Sequence, residues 1–249
     1  MTKTMIVIGA SRGIGAAIAR LAGGRGYAVC VNYSSSQEKA EAVVADIESA
    51  GGQAIAVQGD AGNEADVVGL FGATDAAFGP PTALVCNAAT DHYTFAEDVE
   101  AADVEKVFRV NVVGQFVAAR EAIQRMSTKR GGAGGAIVNI ASIVPRLGGL
   151  PGDIIYTASK GAVQAFSHAL AKEVGPEGIR VNSVSPGYVL TDIFNEYPGG
   201  QAGARAAAEE ANPLGRIGQP DDIANLVLWL CSDEASYVSG ADYESSGGL

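Results

Sequence analysis

Short apolar runs alternate along this chain with longer stretches in which apolar residues recur at helical spacing. The apolar runs predict strands, which cover residues 5–8, 28–32, 53–58, 83–86, 135–140 and 179–185, with a last short strand near Asp242. The periodic stretches predict helices, which cover residues 14–24, 37–50, 64–78, 103–126, 156–174 and 220–231. Predicted strands and helices therefore alternate along most of the chain.

This alternation is typical of βαβ units, in which helices cover both faces of a parallel sheet. We therefore predict an α/β fold, a single Rossmann-type doubly wound domain over residues 1–249, with about seven parallel strands flanked by helices. The glycine cluster at 131–135 is interpreted as a loop, because an apolar strand follows it at once. The segment 191–215 has weak periodicity, and we expect it to form a substrate lid within that domain.

Composition narrows the classes of partner. The chain has 249 residues, 47% of them hydrophobic, and a net charge of -11. An acidic chain binds nucleic acid and anionic membranes poorly, and no apolar run is long enough to cross a bilayer. The three cysteines, Cys30, Cys86 and Cys231, are far apart in apolar surroundings, which predicts reduced core residues in a cytoplasmic protein. We expect a small-molecule partner, with no nucleic acid and no membrane.

The two histidines, His92 and His168, have no spaced partner, and we expect no metal site. His92 follows the fourth predicted strand, at the sheet edge where ligands bind in open α/β folds. It is interpreted either as a substrate contact or as a solvated loop residue.

A glycine-rich turn joins the first predicted strand to the first predicted helix. A diphosphate needs close approach of the backbone, and a helix N-terminus offers free N–H groups and the positive end of the helix dipole. The strand-turn-helix context therefore favours nucleotide binding over an ordinary turn. The residues predicted to contact the nucleotide here are Gly9, Ser11, Arg12, Gly13, Ile14 and Gly15.

A tyrosine and a lysine lie one helical turn apart, at Tyr156 and Lys160, so that both side chains share one helix face. A lysine ammonium beside a phenol favours the phenolate and is expected to lower the pKa of Tyr156. Such a tyrosine can give a proton to a carbonyl oxygen or take one from an alcohol. Ser142, which follows the fifth predicted strand, is expected to hydrogen-bond the same oxygen.

These features occur together with Asn87-Ala88-Ala89 after the fourth strand, Asn111 in a long helix, and Pro186-Gly187 followed by Thr191. In this order and over essentially the whole chain, they resemble the short-chain dehydrogenase/reductase family. Sugar-dehydrogenase-like (glucose-dehydrogenase-like) and 3-oxoacyl-carrier-protein-reductase-like bacterial members are the most similar.

The resemblance implies roles for several residues. It implies that Lys160 also holds the nicotinamide ribose and that Asn111 anchors a water linking this lysine to solvent. It further implies a homotetramer built on the helices at 103–126 and 156–174. Their apolar faces, which are equally consistent with packing on the sheet, carry Val107, Val110, Phe116, Val163 and Phe166.

The second strand ends without an acid, in Asn32, Tyr33 and Ser34, and these three residues are predicted to contact the cofactor. NAD-selective folds place a carboxylate there that pairs with the ribose 2′-hydroxyl and repels a 2′-phosphate. Arg12 in the glycine turn can instead hold a phosphate through two hydrogen bonds. We therefore favour NADP(H) as the cofactor, with NAD(H) as the alternative.

By position, the resemblance implies further cofactor contacts and a substrate pocket. The further cofactor contacts are Asp60, Ala61, Asn87, Ala88, Ala89, Tyr156, Lys160, Pro186, Gly187, Val189 and Thr191. The expected substrate contacts are His92, Val144, Asp153 and Tyr188. Ile8 and Ala89 depart from the family pattern, which usually has threonine and glycine at these places.

Three functions compete at this point. The leading hypothesis is an NADPH-dependent oxidoreductase that reduces a small ketone or aldehyde, with Tyr156 as the general acid. The alternative is a sugar or polyol dehydrogenase that oxidises an alcohol with NAD(P). The third is a non-catalytic dinucleotide sensor on the same fold, which the presence of both Tyr156 and Lys160 disfavours.

Overall fold

The structure, a computed structural model, describes residues 3–192 and 199–249. Seven strands form one sheet in this part of the chain. The five inner strands are largely buried, whereas the two edge strands are partly exposed. The strands are β1 (Lys3–Ile8), β2 (Tyr27–Tyr33), β3 (Gln53–Gln58), β4 (Ala83–Cys86), β5 (Gly135–Ile140), β6 (Ile179–Pro186) and β7 (Asp242–Ser245).

Helices connect these strands and cover the sheet. They are α1 (Gly13–Gly24), α2 (Gln37–Ser49), α3 (Glu64–Phe78), α4 (Ala101–Phe108), α5 (Gly114–Met126), α6 (Val144–Leu147), α7 (Ile154–Val174), α8 (Gly200–Ala211) and α9 (Pro220–Cys231). A π-helical turn, Arg109–Val113, joins α4 to α5. Asn63 caps α3 by accepting from the N–H groups of Ala65 and Asp66, and Gln219 and Asp222 form a capping box at α9.

All strand pairs are parallel, in the order β3-β2-β1-β4-β5-β6-β7. The chain runs outward from β1 through β2 to β3, then returns to the other side of β1 and continues from β4 to β7. The direction of winding therefore changes between β1 and β4, and a crevice opens there at the carboxyl ends of the strands. The predicted doubly wound, seven-stranded fold is confirmed.

The core has two layers, one on each face of the sheet. Along β1, Met5 and Val7 pack in the layer that contains residues of α1, α2 and α9, whereas Ile6 and Ile8 pack in the layer that contains residues of α3, α5 and α7. All four side chains are buried, as the two-residue period of a strand covered on both faces requires.

The predicted helix over 103–126 is interrupted, and two helices were missed. A π-helical turn separates α4 from α5. Such a turn holds one residue more than an α-helical turn and leaves the apolar pattern of the sequence intact. The short helix α6 and the helix α8 lie in segments whose periodicity is weak. Part of the predicted lid, residues 193–198, lies outside the described residues.

The structure also tests the expectations about the apolar helix faces, the cysteines and membrane-spanning segments. Val107 and Val163 have no exposed surface and pack within the protein, whereas Phe116 is 51% exposed and stacks on Phe166. The three cysteines are buried and unpaired, as predicted, and burial raises the pKa of each thiol to about 12. Among the described helices, none is long and apolar enough to cross a membrane.

Two helical glycines allow a matched test of packing. A Cβ on Gly114 would overlap the carbonyl oxygen of Ala61, a backbone atom that cannot rotate away, whereas a Cβ on Gly69 would meet open space. We expect Gly114→Ala to destabilise the protein by about 1–3 kcal/mol, because overpacking forces a backbone shift. Gly69→Ala should stabilise it by about 0.5–1 kcal/mol. Chemical denaturation measures both, and equal effects would contradict this packing.

Candidate active site

The turn between β1 and α1 lies directly against the chain that leaves β4. Gly9 has a φ of 78°, and a Cβ there would lie 2.7 Å from the Cα atom of Ala88. A Cβ on Gly15 would lie 2.6 Å from Asn87 Nδ2. Gly13, with a φ of 55°, lies beside Thr191. The glycines are therefore required by close backbone approach and by positive φ.

Two asparagines hold this turn in place. Asn32 Oδ1 accepts a hydrogen bond from the N–H of Gly9 at 3.1 Å, and Asn32 Nδ2 donates to the carbonyl of Gly59 at 3.0 Å. Asn87 Nδ2 donates to the carbonyl of Gly9 at 2.7 Å. Asn32 is 3% exposed. Its amide, predicted to contact the cofactor, therefore bonds within the protein and ties the turn to β2 and β3.

The residues of this turn fit a dinucleotide. Helix α1 begins at Gly13 with its N-terminus at the carboxyl edge of the sheet, and its N-cap residue, Arg12, makes no side-chain capping hydrogen bond. The first N–H groups of α1 are therefore available to a phosphate, at the positive end of the helix dipole. A side chain at Gly9 would overlap Ala88, and one at Gly15 would overlap Asn87, so that only glycine leaves the turn in this conformation.

Helix α7 carries Tyr156 and Lys160 on one face. Lys160 is 1% exposed, and its Nζ atom donates to the carbonyl of Ile140, at the end of β5, at 2.8 Å. The same Nζ lies 5.5 Å from the centroid of the Tyr156 ring. Burial lowers the pKa of Lys160 to about 8, because the charged form loses hydration. The pair is thus held at the carboxyl end of a central strand.

Burial raises the pKa of Tyr156 above its ordinary value, and the carboxylates of Asp91 and Asp153 raise it further. A side-chain hydrogen bond with Ser142 acts in the opposite direction. The net shift is opposite to the prediction that Lys160 lowers the pKa of Tyr156. Desolvation is the largest cause of the shift, and the raised pKa means that Tyr156 keeps its proton at neutral pH.

Ser142 follows β5 and is 6% exposed. Its Oγ atom accepts from the N–H of Val144, the first residue of α6, at 3.2 Å. Its carbonyl lies 3.1 Å from Nε2 of Gln164, one turn after Lys160 on α7. The serine is therefore fixed between the short helix α6 and the helix that carries the tyrosine.

Asn111 lies in the π-helical turn and has no exposed surface. Its side chain accepts from the N–H of Thr90 and donates to the carbonyl of Thr90, both at 2.8 Å. It also donates to Ser159 Oγ at 3.0 Å, and Ser159 donates to the carbonyl of Tyr156 at 2.7 Å. Asn111 therefore links the chain after β4 to the first turn of α7.

Two carboxyl groups lie beside the tyrosine. Asp153, immediately before α7, shares a hydrogen bond with Asp91, which follows β4. Burial, and then the charge of Asp91, raise the pKa of Asp153 to about 7. The side chain of the neighbouring His92 contacts a different acid, Asp103, with its Nε2 atom 3.2 Å from Asp103 Oδ2.

Exposed apolar side chains, called the rim below, lie in the two segments that contain this acidic pair, one after β4 and one between β5 and the start of α7. Backbone contacts join the two loops, since the N–H of Thr94 donates to the carbonyl of Gly152 at 2.9 Å. The exposed rim residues are Tyr93, Phe95, Leu147, Leu150 and Ile154. The rings of Tyr93 and Phe95 meet edge to face with centroids 5.6 Å apart. The rim gives the entrance a hydrophobic surface.

The other predicted site residues lie along the same sheet edge. Tyr33 is 7% exposed and packs in the core, whereas Ser34 is exposed. Asp60 is exposed after β3, and its Oδ1 accepts from the N–H of Gly62 at 2.8 Å. Pro186 is the last residue of β6. The residues that follow β3, β4 or β6 are Ala61, Ala88, Ala89, Gly187, Tyr188 and Val189.

Sequence reasoning missed several residues at this edge. They are Lys39, Asp91, Tyr93, Phe95, Gln164 and Asp192. Asp91 and Tyr93 had a usable signal, because they directly follow a strand at the carboxyl edge. Lys39 and Asp192 had none, because they are 153 residues apart in the chain. The described residues contain no group of three or more His, Cys, Asp or Glu side chains that could hold a metal ion.

Comparisons with known proteins agree with this geometry. A family model described as enoyl-(acyl carrier protein) reductase matches residues 9–249. The chain is 41% identical over 245 residues to an uncharacterized oxidoreductase, YgfF, of Escherichia coli, with 98% of each chain covered. It is 38% identical over 255 residues to versicolorin reductase stcU of Emericella nidulans, covering 99% of this chain and 95% of that one.

Among solved structures, a short-chain dehydrogenase/reductase from Serratia marcescens matches with a TM-score of 0.90 at 32% identity. The match covers 99% of this chain and 97% of that chain. The fold, the glycine turn and these relatives together define an oxidoreductase that depends on a nicotinamide dinucleotide. Within that class, the chain belongs to the short-chain dehydrogenase/reductase family.

The raised pKa of Asp153 predicts a pH-dependent stability. Because the pKa is higher in the folded protein than in the unfolded chain, Asp153 stabilises the fold fully below about pH 4, and the effect is lost as pH rises through about 7. Asp153→Asn should therefore raise the melting temperature at pH 8 by more than at pH 4. Asp98→Asn, at an exposed acid, is the control, and equal shifts for Asp153→Asn at both pH values would contradict the prediction.

Proposed function

We propose that this protein reduces a ketone or aldehyde of a small molecule to an alcohol with NADPH, and that Tyr156 is the general acid. The observation that carries the proposal is the cluster of buried Ser142, half-buried Tyr156 and buried Lys160 at the carboxyl end of β5. These side chains lie beside a glycine turn that fits a dinucleotide.

A nicotinamide dinucleotide, which the glycine turn and Lys160 would hold, would supply the hydride for the carbonyl carbon. The Tyr156 hydroxyl transfers its proton to the carbonyl oxygen as negative charge develops there. Ser142 donates a hydrogen bond to the same oxygen and fixes its position. Lys160, as an ammonium, stabilises the phenolate that the proton transfer leaves behind. The product is an alcohol, and Tyr156 is reprotonated from solvent before the next cycle.

Two observations favour reduction of a hydrophobic carbonyl over oxidation of a sugar or polyol. The raised pKa of Tyr156 keeps the proton that a general acid must give, whereas an oxidation needs the phenolate at the start. The rim carries exposed apolar side chains, including Tyr93 and Leu150, which suit an apolar substrate better than a sugar. The relative versicolorin reductase is named as a reductase.

The preference for NADPH rests on charge. β2 ends without an acid, so that no carboxylate at the end of this strand repels a 2′-phosphate, and the side chain of Arg12 is 63% exposed at the start of α1. An exposed guanidinium at the end of a helix that favours anions can form two hydrogen bonds with a phosphate. Cytoplasmic location, a homotetramer and a lid at 191–215 stay predictions. The exposed Val113, immediately before α5, and the exposed Phe116 on α5 support the homotetramer.

Replacement of the general acid tests the mechanism. Tyr156→Phe removes only the hydroxyl, and we expect turnover to fall by about a hundredfold or more, since positioned proton transfer contributes at least that much. NADPH binding, followed by calorimetry, should be unchanged. Tyr237→Phe, at a fully exposed tyrosine, is the control and should keep full activity. A Tyr156→Phe variant that retains normal turnover would refute the assignment.

Replacement of Arg12 tests the choice of cofactor. Arg12→Ala should weaken NADPH binding by about tenfold, because a charge-assisted hydrogen bond contributes 1.5–3 kcal/mol. NADH binding should change much less. Titrations of both dinucleotides with each protein measure the ratio. Equal losses for NADPH and NADH would show that Arg12 does not recognise the 2′-phosphate.

A further inference from the structure

Three charged side chains meet where the chain leaving β6 passes the starts of α1 and α2. Asp192 Oδ2 lies 3.3 Å from Lys39 Nζ and 3.8 Å from a guanidinium nitrogen of Arg12. The preceding residue, Thr191, lies against the glycine turn, where a Cβ on Gly13 would be 3.2 Å from its Cγ2 atom. One carboxylate oxygen therefore holds two cations that come from different helices.

Lys39 is in an unusual place for a lysine. It lies in the first turn of α2, at the end of a helix where the dipole favours acids and disfavours cations. The lysine therefore weakens the helix while adding to a positive potential that already exists there. Helix α2 begins just after the end of β2, where dinucleotide folds select between a ribose hydroxyl and a phosphate. The position of Lys39 thus favours binding of an anion at the ribose end.

The contacts of Asp192 are of a kind that a phosphate can replace. The side chains of Arg12, Lys39 and Asp192 are 63%, 55% and 43% exposed, and such exposed ion pairs contribute little net stability. A carboxylate brings one negative charge, whereas a phosphate monoester brings about 1.5 to 2 charges and three acceptor oxygens. A phosphate that reaches these cations therefore competes well against Asp192.

We propose that Lys39 is a second 2′-phosphate-binding residue beside Arg12, and that Asp192 is an internal competitor for the same two cations. The proposal rests on the use of NADPH proposed above. It assigns cofactor selectivity to three side chains rather than to Arg12 alone. Asp192 then sets how much of the attraction of the cations is available to the cofactor.

Lys39→Met tests the first part, because methionine keeps an unbranched side chain of similar length and removes the charge. NADPH, NADH, adenosine 2′,5′-bisphosphate and adenosine 5′-monophosphate are titrated by calorimetry at low salt. We expect about fivefold weaker binding of the two 2′-phosphorylated compounds, as for loss of an exposed charge contact, and unchanged binding of the other two. Lys129→Met is the matched control. Lys129 is an exposed lysine before β5 that pairs with Glu177, and its replacement should leave the binding of all four compounds unchanged.

Asp192→Asn tests the second part. Removing the competing charge should strengthen binding of NADPH and adenosine 2′,5′-bisphosphate by about threefold and leave NADH unchanged. The gain should shrink when Lys39→Met is also present, since the two residues share one ion pair. Asp233→Asn, at an exposed acid paired with Lys3, is the control. Weaker NADPH binding by Asp192→Asn would overturn the competitor role, because it would mean that Asp192 only orients the cations.

The outcomes separate this proposal from the proposed function. A wild-type protein that binds NADPH no more tightly than NADH would refute the proposed cofactor choice. The role of Lys39 is then decided by adenosine 2′,5′-bisphosphate, which Lys39→Met must still weaken relative to adenosine 5′-monophosphate. A wild-type protein that prefers NADPH, together with a Lys39→Met variant that keeps the same preference, would overturn the role of Lys39 alone.

Discussion

The close approach of the glycine turn to the chain after β4 is the constraint on which the rest of the site depends. With Gly9 against Ala88, and Gly15 against Asn87, the two central strands can end side by side with their following segments in contact. The N-terminus of α1 then points into the crevice where the winding of the sheet reverses. Asn32 and Asn87 fix this approach with short hydrogen bonds, so that the anion-binding end of α1 is held in place before any ligand arrives.

Desolvation governs the chemistry on the other side of the crevice. Lys160 is buried and Tyr156 is half-buried, and desolvation favours the neutral form of each: the pKa of the lysine falls and that of the tyrosine rises. The carboxyl pair of Asp91 and Asp153 adds negative charge beside the phenol and strengthens this tendency. A phenol that holds its proton until a carbonyl oxygen becomes basic is suited to act as a general acid. Burial therefore suits Tyr156 to the general-acid role proposed for it.

The sequence predicts the structure wherever the local spacing of apolar residues determines the type of element. Seven strands, the helix that carries Tyr156 and Lys160 and the glycine turn all follow from spacing and context. The π-helical turn around Asn111 does not, because one extra residue in a turn leaves the apolar pattern of 103–126 readable as a plain helix. The pKa of Tyr156 does not follow either, because it depends on burial and on Asp91, which comes from another loop. Asn32 was assigned to the cofactor because no acid stands there, whereas its amide anchors the turn.

The net charge of -11 and a preference for a more highly charged cofactor are compatible for a physical reason. At physiological ionic strength the Debye length is about 8 Å, so that distant surface acids contribute little at the ribose end of the crevice. The charges close to the ribose end therefore determine the local potential. Arg12 and Lys39 lie there, at the positive ends of α1 and α2. Asp192 is the one acid that ion-pairs with either cation among the residues that the structure describes. In the proposed arrangement, selectivity between two dinucleotides depends on which anion, Asp192 or the bound 2′-phosphate, occupies a single pair of cations.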